Sequence, residues 1–473
     1  MKTGTILCLL LSFCSVCFSQ KQSIPKARWA LVKQYLESRK DFSGMVQVAE
    51  GGVVKFSRGY GFADREKKVR YTENTLSTIG SITKPFTATA IMLLLEQGKL
   101  AVKDPISKYF PNVPEDKKGI TLHHLLTHSA GFPGAIGDDY EAISKEDFVK
   151  LAMETSLLFA PGTAYEYTNV GYSLLGMVVE QLSGMSYDAF LQKNVFEPAG
   201  MKTAGYDNPA ADYKLLTHGY LADGSDWGTS KSKPWNGKEP YWHLKANGGL
   251  LMSARDMTQW YRALRSNKVL KPETLKLQTS PHVDEGGGTF YGYGYSIANG
   301  GKSIEHNGGN GIFRADFRWF PELDLCLFAS SNDANVRLFR LDDEIIRILM
   351  SGELPGQTNW QPVPMNEFPA NERQETAQAM LTVLTDYSAE AAAAFVEKYC
   401  SPGIVERNGK ERMTGLFQML SKDTGGNEVQ AVYESDNQIQ LAIPAREEGA
   451  KLKIFLTFLG NQVDKLQAEM EGN

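Results

Sequence analysis

Apolar and polar positions repeat with two different periods along this chain, and the switches between them mark its plan. "IPKARWALVKQYLESRKDFSG" repeats its apolar residues at helical spacing, which predicts a helix. "GMVQVAEGGVVKFSRGYG" predicts two short strands turning at Gly51-Gly52, a hairpin. "STIGSITKPFTATAIMLLLEQGKL" predicts a helix that opens near Ser81 and ends at Gly98. "TLHHLLTHSAGFPG" predicts a short helix breaking into a Gly/Pro loop, and "VGYSLLGMVVEQLSG" an amphipathic helix stopped at Gly184. Helical texture continues through "SARDMTQWYRALRS". From about Tyr291, "YGYGYSIA", "KSIEHNGG", "IFRADFRWFP" and "LDLCLFASSN" predict consecutive strands, and "RLDDEIIRILM" a closing helix. Strands at both ends with helices between predict an α/β (α+β) unit: an antiparallel sheet assembled from the two ends, flanked by helices, with an inserted helical region.

The pattern also divides the chain. Lys2 followed by the short apolar run Ile6 to Cys17, with small residues Cys17 and Ser19 before Gln20, predicts a signal peptide over residues 1–19. The first domain is then 20–354. Proline-rich, polar residues 355–372 predict a linker. The helical stretch "RQETAQAMLTVLTDYSAEAAAAFVEKYC" and the alternating segments after it predict a small α+β accessory domain over 373–473. The mature protein is expected to be exported, periplasmic or secreted, with no transmembrane segment.

Composition narrows the class. Of 473 residues, 42% are hydrophobic and 22% charged, enough for a packed core. A net charge of -5 supplies no electrostatic reason to expect nucleic acid or an anionic membrane as partner. Three of the five cysteines leave with the signal. Cys326 and Cys400 remain, either as unpaired thiols or, in an oxidising compartment, as one disulfide.

Candidate chemistry begins at Ser81-x-x-Lys84. Read alone, Ser81 is a favoured helix N-cap. Residues three apart on a helix share a side, however, so Lys84 can reach Ser81 Oγ. A lysine made neutral by burial can accept the serine proton, and a helix N-terminus offers backbone N–H groups to an oxyanion. Tyr167-x-Asn169 sits in a loop before the amphipathic helix, where the tyrosine can move a proton and the asparagine can hold Lys84 and a substrate carbonyl. His306-x-Gly308-Gly309 ends a predicted strand, and its glycines let backbone approach a ligand closely.

In this order and broad spacing the three motifs resemble the serine β-lactamase-like superfamily, in the branch of class C β-lactamases, D-Ala-D-Ala carboxypeptidases, D-aminopeptidases and related esterases. The resemblance covers roughly residues 25–350 and includes "ITLHHLLTHSAGFP", "FEPAGMKTAGY", "ANGGLLMSARDMTQW" and "YGYGY". It implies a β-lactamase/transpeptidase-like fold and an acyl-enzyme on Ser81. Lys84 would help deprotonate that serine, Tyr167 would act as main general base and acid, and Asn169 would position Lys84 and substrate. The backbone N–H groups of Ser81 and Gly309 would form the oxyanion hole. The implied substrate is a small ester, a peptide or a cell-wall-derived compound, cleaved by an esterase or D-amino-acid peptidase-like enzyme. The rival reading is a non-catalytic binder of such ligands. His306 stands where penicillin-recognising members carry the lysine of K-T-G. A neutral histidine holds a carboxylate less firmly than an ammonium and titrates near physiological pH.

The remaining motifs add no cofactor. His124 and His128 have the i, i+4 spacing of a zinc pair, without the glutamate of H-E-x-x-H. There is no G-x-S-x-G elbow, phosphate loop or dinucleotide fingerprint. No metal and no cofactor are expected.

Overall fold

The computed structural model describes residues 23–233, 235, 239–286, 288–355, 360–435, 438–447 and 449–471. The signal-peptide segment at 1–19 lies outside the described residues. Helix α1 (Lys26–Ser38) precedes the hairpin β1 (Gly44–Glu50) and β2 (Val53–Tyr60), whose turn glycines Gly51 and Gly52 both have positive φ. Six further strands lie far along the chain: β3 (Val283–Gly286), β4 (Thr289–Tyr291), β5 (Ser296–Ala298), β6 (Ser303–Asn310), β7 (Phe313–Phe320) and β8 (Leu325–Ser331). They form one antiparallel sheet in the order β2-β1-β8-β7-β6-β5-β4-β3. The two ends of the unit meet where β1 pairs with β8, Gly44 opposite Ser331 and Glu50 opposite Leu325. The sheet begins at Val283, earlier than expected, because the glycines of "VDEGGGTFY" interrupt the alternation that marks a strand.

Both faces of the sheet centre are covered. Val46, Val48, Leu327 and Ala329 pack with α1 and with α6 (Leu338–Ser351). The alternate residues Met45, Ala49, Cys326 and Phe328 face the inserted helices. Those helices include α2 (Thr83–Glu96), α3 (Leu122–Leu126), α4 (Asn169–Ser183) and α5 (Ala254–Arg265).

α2 is apolar nearly all round, as a helix buried on every side must be. Phe86 packs between Phe196 and Trp260, at 5.6 and 4.8 Å between ring centres. The buried hydroxyls of Thr87 and Thr89 donate to Ala246 O (2.5 Å) and Pro85 O (2.9 Å), so its polar residues are satisfied too. Its start differs from expectation. Gly80–Ile82 is a 3-10 turn, α2 begins at Thr83, and no side chain caps it. Ser81 is therefore not an N-cap, and its hydroxyl is free for other partners. At the far end Gly98 adopts φ 68° and Lys99 N donates to Leu94 O, a glycine-terminated helix end as expected.

A second antiparallel sheet orders Gln361–Val363, Ala431–Glu434, Gln438–Pro444, Lys451–Leu459 and Gln462–Glu471. Helices Glu372–Thr385, Ala389–Tyr399 and Lys410–Thr424 share an apolar cluster with it, including Phe395, Phe417, Leu441 and Ile454. Pro362 is tolerated because its strand is an edge. Cys326 and Cys400 are both buried free thiols.

Candidate active site

The turn at Gly80–Ile82 lies against the glycines of β6. A Cβ on Gly308 would stand 1.9 Å from Ile79 O and 2.9 Å from Ser81 N. One on Gly80, whose φ is 50°, would stand 2.6 Å from Gly309 N. Only glycine fits at either position, and the contact brings the N–H groups of Ser81 and Gly309 to one place. Two backbone N–H groups brought together beside a serine hydroxyl are what an oxyanion hole would require.

Lys84 projects from the first turn of α2 and is fully buried. Its Nζ lies 3.1 Å from Ser81 Oγ, 2.8 Å from Asn169 Oδ1 and 3.0 Å from Asn247 O. Burial holds its pKa well below the usual lysine value. A neutral amine has two N–H groups and one lone pair. The two oxygens that can only accept, Asn169 Oδ1 and Asn247 O, take the N–H groups, which leaves the lone pair for the Ser81 hydroxyl. The Asn247 carbonyl is a partner that sequence reading missed. "ANGG" drew notice only as a family landmark, and nothing in the string marks a main-chain oxygen as a ligand.

Tyr167 is half-buried, and its hydroxyl faces Ser81 closely enough for the serine to lower its pKa against the effect of burial. Burial raises its pKa above the ordinary tyrosine value. It is held by the loop that starts α4. Thr168 is the N-cap, its Oγ1 accepting from Val170 N at 3.1 Å. Residues 128–134 run alongside and fasten the loop: Glu166 N donates to His128 O (2.9 Å), Gly162 N to Ser129 O (2.8 Å), Thr168 Oγ1 to Pro133 O (2.6 Å) and Asn169 N to Gly134 O (2.8 Å).

His128 contributes twice, because its ring Nδ1 also accepts from Thr168 N at 3.1 Å. That bond leaves the proton on Nε2, which is buried without a hydrogen-bond partner. The ring stands 4.3 Å from that of Tyr167 and 4.5 Å from that of Tyr291, centre to centre. Its backbone is left-handed, φ 59°, a costly conformation for a residue that is not glycine. The signal available in sequence was the histidine spacing, a zinc-like pair that lacked the remaining ligands and gave no hint of a role beside Tyr167. His124 instead receives Thr121 N on its own Nδ1 as part of a capping box, so the two rings serve different partners. Among the described residues no cluster of His, Cys, Asp or Glu could hold a metal ion.

His306 departs from expectation. It is buried with Nδ1 2.6 Å from Asn307 O and Nε2 2.8 Å from the Tyr291 hydroxyl. A carbonyl only accepts, so Nδ1 carries the proton and Nε2 accepts from Tyr291. Both nitrogens are spent inside the protein, and neither is left for a substrate carboxylate. Burial and the neighbouring Lys84 lower its pKa to about 3, so it does not titrate near neutral pH. Two further histidines have protein partners: His218 bonds Asp226 (2.8 Å) and His282 stacks on Tyr293 (4.1 Å).

Comparison with known proteins gives the same outline. A family model described as Beta-lactamase matches residues 30–350. The chain is 29% identical over 294 residues to penicillin-binding protein 4* of Bacillus subtilis (strain 168), an alignment covering 58% of this chain and 64% of that protein. A solved penicillin-binding protein from Bacillus halodurans superposes with a TM-score of 0.58 at 26% identity, covering 67% of this chain and 98% of that one. An octameric penicillin-binding protein homologue from Pyrococcus abyssi superposes with a TM-score of 0.60 over 94% of this chain and 99% of its own, a likeness of fold alone at 21% identity.

Proposed function

The chain belongs to the Beta-lactamase family, and from that premise we propose that it is an exported serine hydrolase that cleaves an ester or amide through an acyl-enzyme on Ser81. The observation that carries the reading is the buried Lys84 amine, in contact with Ser81 Oγ, Asn169 Oδ1 and Asn247 O. Ser81 Oγ attacks the substrate carbonyl while Lys84 Nζ takes its proton, the base role that the resemblance would give mainly to Tyr167. The N–H groups of Ser81 and Gly309 receive the negative oxygen, a contribution worth about 2.7–4 kcal/mol for one such donor. Tyr167, a phenol at neutral pH because burial disfavours the phenolate, passes its proton to the leaving group and is refilled from Lys84. Water then enters along the same relay and releases the acid.

Esters and D-amino-acid peptides or amides fit this scheme better than β-lactams. The lysine that would hold a β-lactam carboxylate is replaced by His306, whose nitrogens are occupied. Residues 20–354 form the hydrolase unit in this reading, and 373–473 an accessory unit joined through 355–372. The test is labelling with a fluorophosphonate, mapped by mass spectrometry. Wild type is expected to carry the adduct on Ser81 and Ser81→Ala to carry none. Equal labelling of both overturns the assignment, and efficient cephalosporin turnover overturns the substrate preference.

A further inference from the structure

The loop 134–140 crosses from one side of the site to the other. It starts at Gly134, whose carbonyl accepts from Asn169 N at 2.8 Å, beside Tyr167 and Lys84. It passes Gly137, where a Cβ would stand 2.2 Å from the His243 ring. It ends at Asn310, the residue after Gly309. Asn310 Nδ2 donates to Asp139 Oδ2 at 3.2 Å, and the Tyr140 hydroxyl donates to Asn310 Oδ1 at 2.9 Å. Asp139 is thus pinned at the oxyanion end of the cleft. Among the described residues its other oxygen accepts no hydrogen bond, and the side chain is only partly exposed.

The charges around it are unbalanced. Asp139 raises the Lys84 pKa against the larger effect of burial. Lys84 itself is buried, and burial pushes its pKa well down. His306 and His128 are kept neutral by burial, and burial also lowers His243. Arg314, opposite Gly309 in register, sets its positive charge beside that glycine, but its Nη1 donates to Gly311 O and Phe313 O at 2.8 Å each, and among the described residues no ion pair joins it to Asp139. Asp138 and Glu141 add negative charge at the rim, and Glu285, bonded to Tyr165, adds it on the Tyr167 side. Burial raises the Asp139 pKa, and Lys84 and Asn310 offset only part of that rise.

We propose that Asp139 is a specificity-determining residue, and that the site selects substrates carrying an ammonium group close to the reacting carbonyl. The proposal rests on the hydrolase reading above and narrows its substrate class to amine-bearing acyl compounds. The free carboxylate oxygen takes the ammonium while Ser81 meets the carbonyl. A substrate carboxylate in the same place would meet like charge.

A matched pair of phosphonylating probes tests this without assuming ester or amide turnover. Diphenyl 1-aminoethylphosphonate and diphenyl isopropylphosphonate differ in an ammonium for a methyl group. The rate of adduct formation on Ser81, followed by mass spectrometry, is compared in wild type and Asp139→Asn, which keeps an acceptor for Asn310. The amino-to-isopropyl rate ratio is expected to fall about tenfold to a hundredfold in the variant, the worth of a charged hydrogen bond. In wild type alone the ratio is expected to fall as pH rises through the pKa of the probe's amine, a readout independent of the variant's folding. A ratio that moves less than twofold in both experiments, with Ser81 still labelled, overturns the role of Asp139 and leaves the hydrolase reading standing. Labelling that misses Ser81 overturns the hydrolase reading itself.

Discussion

Replacing His128 by alanine removes two supports from the loop that carries Tyr167 and Asn169: the ring packed 4.3 Å from Tyr167, and the acceptor for Thr168 N–H. A buried N–H left unpaired costs about 1–3 kcal/mol. Deleting a fully buried ring adds a cavity, and the total loss of stability is expected near 3–5 kcal/mol. Asparagine should recover much of this. Its Oδ1 can take the place of Nδ1, and asparagine tolerates the left-handed φ of 59° better than alanine. The catalytic effect follows from position. A displacement of about 1 Å in a proton-transfer group costs on the order of 10²-fold in rate. The assay is kcat and KM for a short-chain p-nitrophenyl ester together with thermal melting, for wild type, His128→Ala and His128→Asn. kcat should fall about 30- to 100-fold in the alanine variant with KM within threefold, and the asparagine variant should return to within about tenfold of wild type. The reasoning is refuted if both variants melt well above the assay temperature and asparagine restores no more kcat than alanine. It is equally refuted if the loss appears in KM alone.

Three further outcomes follow from the same geometry. Gly308→Ala places a methyl 1.9 Å from Ile79 O, so the turn carrying Ser81 must move; Ser81 labelling is expected to slow by at least about 100-fold, and a labelling rate near wild type would show that the contact is not needed. Because Lys84 must be an amine to accept the Ser81 proton and burial lowers its pKa, kcat/KM should fall toward acid and hold far below the ordinary lysine value of about 10.4. The same acid limb should remain in His306→Gln, since His306 is already neutral; a limb that vanishes in that variant would assign it to the histidine. Burial raises the pKa of the carboxyls of Asp316 and Asp342, and the Asp316 charge raises that of Asp342 further, with Arg318 Nε bonded to Asp316 at 2.8 Å. A carboxyl raised in the folded state contributes its full stability below the unfolded value of about 3.9 and loses it as pH climbs through the folded value. Asp342→Asn should therefore leave the melting temperature little changed near pH 4 and raise stability by about 1–3 kcal/mol near pH 8, and a gain that does not depend on pH would refute this.

Much of the architecture was legible in the string. Helices α1, α4, α5 and α6 stand where apolar residues recur at helical spacing, and the β1–β2 hairpin turns on Gly51-Gly52 as its alternation and glycines require. The meeting of the two ends of the first unit in one sheet followed from strands at both ends with helices between. β3 escaped notice because glycines break its pattern. The Ser81-x-x-Lys84 spacing, the Tyr167 loop and the Gly308-Gly309 pair were visible as separate motifs, since spacing, caps and turns act within a few residues.

What only the tertiary structure decided is how those motifs face one another. Lys84 meets Asn169 and Asn247 across 85 and 163 residues of chain, and no local rule relates them. The same packing moved the start of α2 past Ser81, turned His306 inward onto Tyr291, gave His128 to the tyrosine loop instead of a metal, and set Asp139 beside Asn310. Local periodicity specifies which residues form each element. Whether a lysine is an amine or an ammonium, and whether a histidine faces substrate or core, depends on burial and on hydrogen-bond partners, and these exist only once distant segments have packed together.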